Sequence, residues 1–484
     1  MRPDSATLTL TRTITVADGV FAPGHLGELT QHLPFELIDA VLADTGTTQR
    51  RLRALPSRVG IYFLLALGLF PELGYLRVWH KLTAALDGLG IRRPSEKGLR
   101  ELRRRLGAAP LKALFEAVAA PLAQPHTPGT RYRRWRTVAF DGCSSIKVPD
   151  AERNRSWLGK IRYRLAWAGY PTLMVMALAE TGTRGLLGAV IGPARAGETG
   201  YAARLLHLLS ADMLLLADRA FDGNDLLGAV AETGAQFLVR LKTTRRPVVL
   251  ARLDDGSFLS RIGAVTVRII DTDITVTCAD GTRISGRYRL ATTLLDPRRD
   301  TAPALVRLYH ERWEIESAFF ALRHTLLGGR VLRSGDPVGV RQEVWALLCV
   351  YQALRMAMAE AAETRPGTDP DRACFTTAVQ AARDQVVLAS GVVWAADGGP
   401  GERGGVIGAI GRAVLEDLLP PRRHRISVRK VKSPVSRYHA RPRDDDRPPT
   451  SQDITGILIV VHEGQSAPPP PPAPDAPGPA MQEQ

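Results

Sequence analysis

Five short apolar runs, bounded by Gly and Asp, constrain the fold of this 484-residue chain more than any other feature. They occupy residues 137–140, 170–179, 185–191, 213–217 and 236–241. Each run is rich in β-branched and aliphatic residues and is too short for a typical helix, so each predicts a strand. One helical pattern lies between the third and fourth runs, and another follows the fourth. The order β-β-β-α-β-α-β predicts an α/β fold, a mixed sheet with helices on its faces.

Ribonuclease H-like nucleases have this order of strands and helices. We therefore expect a ribonuclease H-like catalytic domain at about residues 130–365, with helices on both faces of the sheet. Within it, alternating stretches joined by two Asp-Gly turns predict a β insertion at about residues 245–300. Two long helices are expected after the insertion, at residues 302–327 and 341–362.

The chain before residue 120 has a different pattern. Apolar residues recur at helical spacing between residues 34 and 119, which predicts an all-helical N-terminal domain at about 20–120. Within it, residues 92–106 carry seven Lys or Arg against two Glu, and Ser95 is a candidate N-cap. This basic helix either contacts DNA or is simply solvated, and the sequence leaves both readings open.

The chain after the second long helix becomes increasingly basic and then low in complexity. Residues 366–445 are predicted to be helical and basic, and their segment 421–443 holds nine Lys or Arg and no acid. A Pro run at 468–472 lies within residues 446–484, which are predicted to be a disordered tail. The basic segment could contact DNA or assist assembly of a dimer.

Composition narrows the class of function. The balance of 64 basic against 49 acidic residues gives a net charge of +15, which favours a polyanionic partner. The most apolar run, residues 61–70, is about half the length that spans a bilayer, so nucleic acid is preferred over a membrane and a cytoplasmic protein is expected. The four cysteines form no CxxC pair, and HExxH, GxSxG and GxxxxGK[ST] motifs are missing. Zinc protease, esterase and ATPase functions are thereby excluded.

Two aspartates follow predicted strands in the same way. Asp141 comes directly after the run 137–140, and Asp218 directly after the run 213–217. Phosphodiester chemistry uses metal ions, and Mg²⁺ is held by carboxylates, so acids at strand ends are candidate ligands. An Asp after a strand is often only a turn residue. For Asp218 a capping role is not expected, because Asp222 is the better N-cap for the helix that follows.

A third candidate lies on the first long helix. Tyr309, Arg312, Glu316 and Arg323 are spaced three, four and seven residues apart, which brings them within a helical sector of roughly 60°. The alternative is an exposed ion pair between Arg312 and Glu316 of a few tenths of a kcal/mol.

Three sequence blocks carry a family resemblance. FDGCSSIKVPD, LLLADRAFDGNDLL and YHERWEIESAFFALR resemble the active-site blocks of DDE transposases from bacterial insertion sequences, in the family numbered four. The third block of that family has a spaced Tyr, Arg, Glu, Lys signature, in which Arg323 here takes the position of Lys. Residues 34–119, with GTTQRRLRALPSRVGIYFLLALGLF, are similar to the N-terminal domain of the family. The resemblance covers roughly residues 20–355.

The resemblance implies a mechanism and its residues. Asp141, Asp218 and Glu316 would be the catalytic triad and ligate two Mg²⁺ or Mn²⁺ ions. A second group would contact DNA without reading its sequence: Tyr309, Arg312, Arg323 and Arg219. The implied function is metal-dependent DNA strand cleavage and strand transfer at the ends of an insertion sequence, in cut-and-paste transposition. The partners would be the terminal inverted repeats and target DNA, bound by a homodimer on paired ends in the cytoplasm or at the nucleoid.

Two alternatives and one departure accompany this interpretation. The chain could be a catalytically inactive, transposase-derived DNA-binding protein, or a ribonuclease H-like nuclease that serves repair. Some relatives stack a flipped base on a Trp of the β insertion and cut through a DNA hairpin. The insertion here has no Trp, and only Phe258 and Tyr288 could substitute, so a hairpin intermediate stays open.

Overall fold

A computed structural model describes residues 12–13, 24–51, 55–86, 91, 93–160, 169–389, 392–393, 408–420 and 454–462. The basic segment 421–443 and the Pro run 468–472 lie outside these residues. The described strands are β1 Arg12–Thr13, β2 Arg131–Tyr132, β3 Trp135–Lys147, β4 Thr172–Glu180, β5 Leu186–Pro193, β6 Met213–Ala217, β7 Gln236–Arg240, β8 Ala251–Arg252, β9 Phe258–Ile262, β10 Val265–Cys278, β11 Arg283–Thr292, β12 Val392–Val393 and β13 Ile454–Val461.

The described α-helices are α1 Phe35–Asp44, α2 Ser57–Leu69, α3 Tyr75–Thr83, α4 Glu96–Leu106, α5 Ala109–Val118, α6 Glu152–Leu158, α7 Glu198–Ala203, α8 Asn224–Glu232, α9 Ala302–Tyr309, α10 Trp313–Phe320, α11 Pro337–Glu363, α12 Phe375–Val387 and α13 Ala409–Glu416. Within the described residues, no helix has the length and apolar character needed to cross a membrane.

The central sheet has the order β5-β4-β3-β6-β7. The pairs β3–β4 and β4–β5 are antiparallel, whereas β3–β6 and β6–β7 are parallel. All five predicted strands are present, and this mixed order is the ribonuclease H-like arrangement expected from the sequence. The fold-class prediction is therefore confirmed.

Side chains of the central strands alternate between two apolar layers, so the sheet is covered on both faces. On β3, Val138 and Phe140 join the layer formed with α7 and α8. Ala139 joins the larger layer, formed with α9, α10 and α11. The same alternation on β6 sends Leu215 to the first layer and Leu216 to the second. The same alternation determines the sheet face to which the residues at the ends of β3 and β6 point.

Strand β3 is longer than the sequence indicated. The predicted run ends at residue 140, but the strand continues through Asp141 to Lys147. Beyond Ala139 its pairing with β6 stops, while its pairing with β4 goes on, with a bulge between Cys143 and Ile146. Asp141 therefore lies inside a strand, at the point where the parallel pairing ends.

The β insertion is continuous with the central sheet. Strands β8 to β11 form antiparallel pairs, with the Asp255–Gly256 and Asp280–Gly281 turns as predicted. The stretches 264–270 and 274–278, expected as two strands, form the single 14-residue strand β10. Strand β11 then pairs with β7, so the insertion extends the sheet sideways from the edge of the ribonuclease H-like strands.

The N-terminal region is helical, as predicted, and rests on the long helix α11. Its most apolar helix, α2, is buried along nearly its whole length and packs against α11, as does α5. The basic helix α4 is capped by Ser95, whose hydroxyl accepts a hydrogen bond from the amide of Gly98 at 3.1 Å, as predicted. One Arg of this helix, Arg103, points inward and reaches Glu343 of α11 at 3.1 Å.

The C-terminal part departs from the prediction at one place. Helices α12 and α13 pack on α11 and on each other. Within the tail predicted to be disordered, β13 forms an ordered strand that pairs with β10. Its alternate residues Ile457, Ile459 and Val461 pack against the main apolar layer, which gives this short β-branched run a reason to be ordered. For these eight residues the prediction of disorder is wrong.

Candidate active site

Asp141 and Asp218 lie side by side on neighbouring parallel strands. The register of β3 and β6 pairs Val138 with Leu215 and Ala139 with Leu216. The ladder between the two strands ends at Ala139 and Leu216, and each aspartate follows two residues later, so both acids lie at the same edge of the sheet although 77 positions separate them in the sequence. The negative charge of Asp218 contributes to raising the pKa of Asp141.

Both aspartates face the same layer. Asp141 follows Ala139 by two residues, and Asp218 follows Leu216 by two, and both of those apolar side chains belong to the layer that contains α9 and α10. Because strand side chains alternate, the two carboxylates also point to that side. This is the side on which the helix with Glu316 packs.

The helical segment that contains Glu316 departs from α-helical geometry at two places. One helix was predicted for residues 302–327; the structure has α9, a 3₁₀ turn at His310–Arg312, α10, and a π-helical segment at Ala321–Leu326. A tighter turn and a wider turn alter the rotation per residue, so the predicted common sector of the four polar residues does not hold along the whole segment. Irregular turns of this kind are frequent at functional sites.

Arg312 hydrogen-bonds to Glu316 and interacts electrostatically with Asp141 and Asp218. It is 6% exposed, and its Nη2 donates to Oε1 of Glu316 at 3.1 Å. Burial lowers the pKa of Arg312, but the charges of Tyr309, Glu316, Asp218 and Asp141 raise it more. The ion pair is thus partly buried, with side-chain exposures of 7% for Arg312 and 20% for Glu316, and the alternative of an exposed surface pair is wrong.

The carboxyl group of Asp141 has a raised pKa and is therefore a weaker acid than an ordinary aspartate. Burial raises its pKa to about 7, the negative charge of Glu316 adds to this, and Arg312 and the amide of Gly142 oppose it. That amide donates to its Oδ1 at 2.9 Å. The carboxyl is therefore desolvated and close to another acid, a setting in which a bound cation is strongly favoured.

Asp218 has a structural role that the sequence analysis did not expect. Its Oδ1 accepts from the amide of Ala220 at 2.7 Å and caps the 3₁₀ turn Arg219–Phe221. The N-cap of α8 is Gly223, and not Asp222 as the sequence analysis had expected. Asp222 is instead buried beside Arg245, with a distance of 2.7 Å between its Oδ1 and the Nε of Arg245. The intervening 3₁₀ turn explains both differences, because it separates the strand from the helix.

The predicted DNA-contacting residues lie at different depths. Tyr309 is 4% exposed, and burial raises its pKa to about 12. Its ring centroid is 6.0 Å from the guanidinium carbon of Arg312. Arg323 is half-buried and hydrogen-bonds to Ser145 of β3 and, at 2.7 Å, to His324. Arg219 is exposed.

Sequence reasoning missed a cluster beside the acids. Arg240, at the end of β7, lies 4.2 Å over the ring of Tyr288 on β11, and Tyr288 lies 5.9 Å from the ring of His310. These residues belong to three distant segments, so no local pattern could connect them. Of the two aromatic residues considered in the insertion, Phe258 is in the core and 4% exposed, whereas Tyr288 lies 6.2 Å from the ring of Tyr309.

The acids form an oxygen-only donor set of the kind that Mg²⁺ and Mn²⁺ prefer. In the part of the chain that the structure describes, no three His, Cys, Asp or Glu side chains converge closely enough to hold a metal ion as they stand. The carboxylate of Glu316 is paired with Arg312 at 3.1 Å.

Comparison with family models gives two matches. Residues 23–116 match the model described as insertion element 4 transposase N-terminal, and residues 136–353 match the transposase DDE domain. The second range includes the three candidate acids. Together the two ranges span the helical region and the sheet with its insertion.

Curated relatives agree with the family models. The chain is 24% identical over 428 residues to the transposase InsG for insertion sequence element IS4 of Escherichia coli K12, covering 86% of this chain and 94% of that one. It is 26% identical over 206 residues to InsZ of the same organism, covering 42% and 67%. Among solved structures, the piggyBac transposase synaptic complex with hairpin DNA aligns over 81% of this chain and 85% of that one, with 9% identity and a TM-score of 0.37. The protein belongs to the insertion sequence 4 family of DDE transposases.

Proposed function

We propose that Asp141, Asp218 and Glu316 are the catalytic residues of this transposase and hold two divalent ions, Mg²⁺ or Mn²⁺. The observation that carries the proposal is that Asp141 and Asp218 each follow the last paired residues of two neighbouring parallel strands by two positions, at the sheet face against which the helix of Glu316 packs. When bound, such ions polarise the scissile phosphate and activate the attacking water or 3′-hydroxyl. The reaction is cleavage and transfer of DNA strands at the ends of an insertion sequence.

Arg312 lies next to the proposed metal ligand Glu316. Its Nη2 donates to Oε1 of Glu316 at 3.1 Å, and the carboxylate has a second oxygen, Oε2, with which it could ligate a cation. The positive charge of Arg312 beside the acids suits a DNA phosphate. Tyr309, buried against Arg312, orients this guanidinium.

Two further arginines extend the phosphate-binding surface. Arg323 is held by Ser145, four residues after Asp141 on the same strand, so its guanidinium is fixed relative to β3. Arg219 directly follows Asp218 and is exposed. Both residues hold the DNA backbone beside the cleaved bond without reading sequence.

The substrate and assembly follow from the charge of the chain and from the family. The net charge of +15 suits double-stranded DNA, and we infer that the terminal inverted repeats and the target are the DNA partners. The exposed residues Lys97, Arg100 and Arg104 of α4 give the helical domain, at about residues 20–120, a surface for the same DNA. We infer a homodimer on paired ends, acting in the cytoplasm at the nucleoid.

The test is cleavage of DNA that carries the ends of the element. Asp218→Asn keeps an oxygen for the cap at Ala220 but removes the charge, so we expect a folded protein with at least about a hundredfold less Mg²⁺-dependent nicking. Asp225→Asn is the matched control, an exposed carboxylate seven residues later. Equal cutting by both variants would defeat the assignment. DNA binding by the wild type without any cutting would indicate the inactive DNA-binding alternative.

A further inference from the structure

The helix α10 that carries Glu316 is short and lies between two irregular turns. It has eight residues, with a 3₁₀ turn before it and a π-helical segment after it. Both turns change the rotation per residue, so a continuous helix does not set the direction in which Glu316 points. A rotation of α10 by a few tens of degrees would move that carboxylate by roughly 3 Å. Contacts on the other faces of α10 must therefore hold its rotation.

Glu314 makes such a contact. It precedes Glu316 by two residues, so it lies about 200° around the helix, on the opposite face. Its Oε2 accepts a hydrogen bond from the Nε of Arg184 at 2.5 Å. Both side chains of this ion pair are nearly buried, so water competes little for the contact. The rotation of α10 is thereby tied to the position of Arg184.

Arg184 is itself held in place within the turn between β4 and β5. Its φ of 59° lies in the left-handed region, which a residue other than glycine keeps only where its surroundings enforce it. Its Nη2 donates to Asp371, and its carbonyl oxygen accepts a hydrogen bond from the hydroxyl of Tyr351 at 2.9 Å. Asp371 and Tyr351 are both buried. Two partners outside the active site thus fix the residue that contacts Glu314.

We propose that the pair of Arg184 and Glu314 sets the rotation of α10 and so directs Glu316 towards the two active-site aspartates. Asp371 completes this positioning unit, because it holds the other end of the same guanidinium. The unit acts through Glu316 and not on the DNA, so its loss should weaken metal binding and leave DNA affinity unchanged. This inference rests on the proposed function, since it takes the three acids to be metal ligands.

The test measures Mn²⁺ affinity separately from DNA affinity. Electron paramagnetic resonance of free Mn²⁺ gives the first, and fluorescence anisotropy of an element-end duplex in EDTA gives the second. Glu314→Ala removes the contact, and we expect it to weaken Mn²⁺ binding roughly tenfold, as for other groups that orient a metal ligand. Glu314→Gln keeps an oxygen that accepts from Arg184, so it should retain most of the wild-type Mn²⁺ affinity.

A second variant covers the case in which Glu314→Ala does not fold. Arg184→Lys keeps the buried positive charge but loses the fork that reaches both Glu314 and Asp371, so it should also weaken Mn²⁺ binding. The matched control is Glu416→Ala, which removes an exposed carboxylate at the end of α13 and should change neither affinity.

The contrary outcomes are distinct. The proposal is overturned if folded Glu314→Ala and Arg184→Lys proteins melt at a lower temperature but bind Mn²⁺ as the wild type does, which is the result for a purely structural ion pair. It is also overturned if DNA affinity in EDTA falls together with Mn²⁺ affinity. Glu316→Gln separates this failure from that of the proposed function. If Glu316→Gln alone weakens Mn²⁺ binding, only the positioning role fails, whereas no effect of Glu316→Gln would defeat the proposed metal site as well.

Discussion

Arg184 and Glu314 join the edge of the sheet to the helix of the candidate active site. The Nε of Arg184 donates to Oε2 of Glu314 at 2.5 Å, and its Nη2 donates to Asp371. Arg184 lies in the turn between β4 and β5, with φ of 59°, and Glu314 stands two residues before Glu316. The side chains of Arg184, Glu314 and Asp371 are nearly buried, with exposures of 7%, 13% and 2%. The contact therefore fixes α10 from the side opposite to Glu316.

Replacing Arg184 should destabilise the protein strongly. Arg184→Met leaves two buried carboxylates without this guanidinium, and loss of one partner of a buried pair costs about 3–5 kcal/mol. The free energy of unfolding from urea titration measures the effect. The control is Arg58→Met, whose pair with Asp39 is 44% exposed on both sides and should contribute less than about 1 kcal/mol. Similar small losses in both variants would contradict the role given to Arg184.

The sequence predicted those parts of the fold that local patterns determine. Each of the five strands has its own apolar run, so the sequence predicts all of them, and it identifies Asp141 and Asp218 as acids at strand ends. The parallel register that makes them neighbours depends on strand order, which the family resemblance and the β-α alternation supplied.

Other features depend on contacts between distant segments. Arg184 and Glu314 are 130 residues apart, and no spacing rule joins them. The pitch changes around Arg312 and Arg323 follow from packing of the helix on the sheet, while a single sequence predicts only a regular helix. Asp222 was misread for a related reason, because its partner Arg245 lies beyond the next strand.

Metal affinity should depend on pH near neutrality. The pKa of Asp141 is raised to about 7 by burial and by Glu316, and a metal ion binds only the deprotonated carboxylate. Below pH 7, each unit should therefore lower the apparent affinity about tenfold, and above it the affinity should level off. Electron paramagnetic resonance of free Mn²⁺ measures the binding.

The raised pKa of Asp141 also predicts how the stability of the metal-free protein changes with pH. Between its unfolded value of 3.8 and about 7, folded Asp141 keeps a proton that the unfolded chain has lost. The metal-free protein should thus lose stability as pH rises through this range, and Asp141→Asn should remove that part of the slope. A wild-type Mn²⁺ affinity that is constant from pH 5 to 8 would contradict the raised pKa.

Substitutions of Arg323 test whether Arg at this position performs the role that Lys has in the family signature. Arg323→Lys keeps the charge but loses the fork that contacts both Ser145 and His324, so DNA affinity should fall by less than about tenfold at an unchanged salt dependence. Arg323→Ala removes the proposed phosphate contact, and the slope of log affinity against log salt should then decrease by about one. Lys112→Ala, which removes an exposed cation paired with Glu116 on α5, serves as the control and should leave the slope unchanged.

Strand β13 should protect the outer edge of β10. It pairs with β10 from Thr272 to Cys278, and His462 adds a contact with Asp273 at 2.7 Å. A chain ending at Ser451 lacks this strand and leaves a long edge unpaired, so hydrogen exchange of the β10 amides should be at least about tenfold faster. The pairing of β10 with β11 is untouched, so the domain should stay folded. A chain ending at Glu463 keeps β13 and is the matched control. Equal protection of β10 in the two truncated chains would mean that β13 does not hold this edge, whereas protection only in the longer chain would make the tail an integral strand of the insertion.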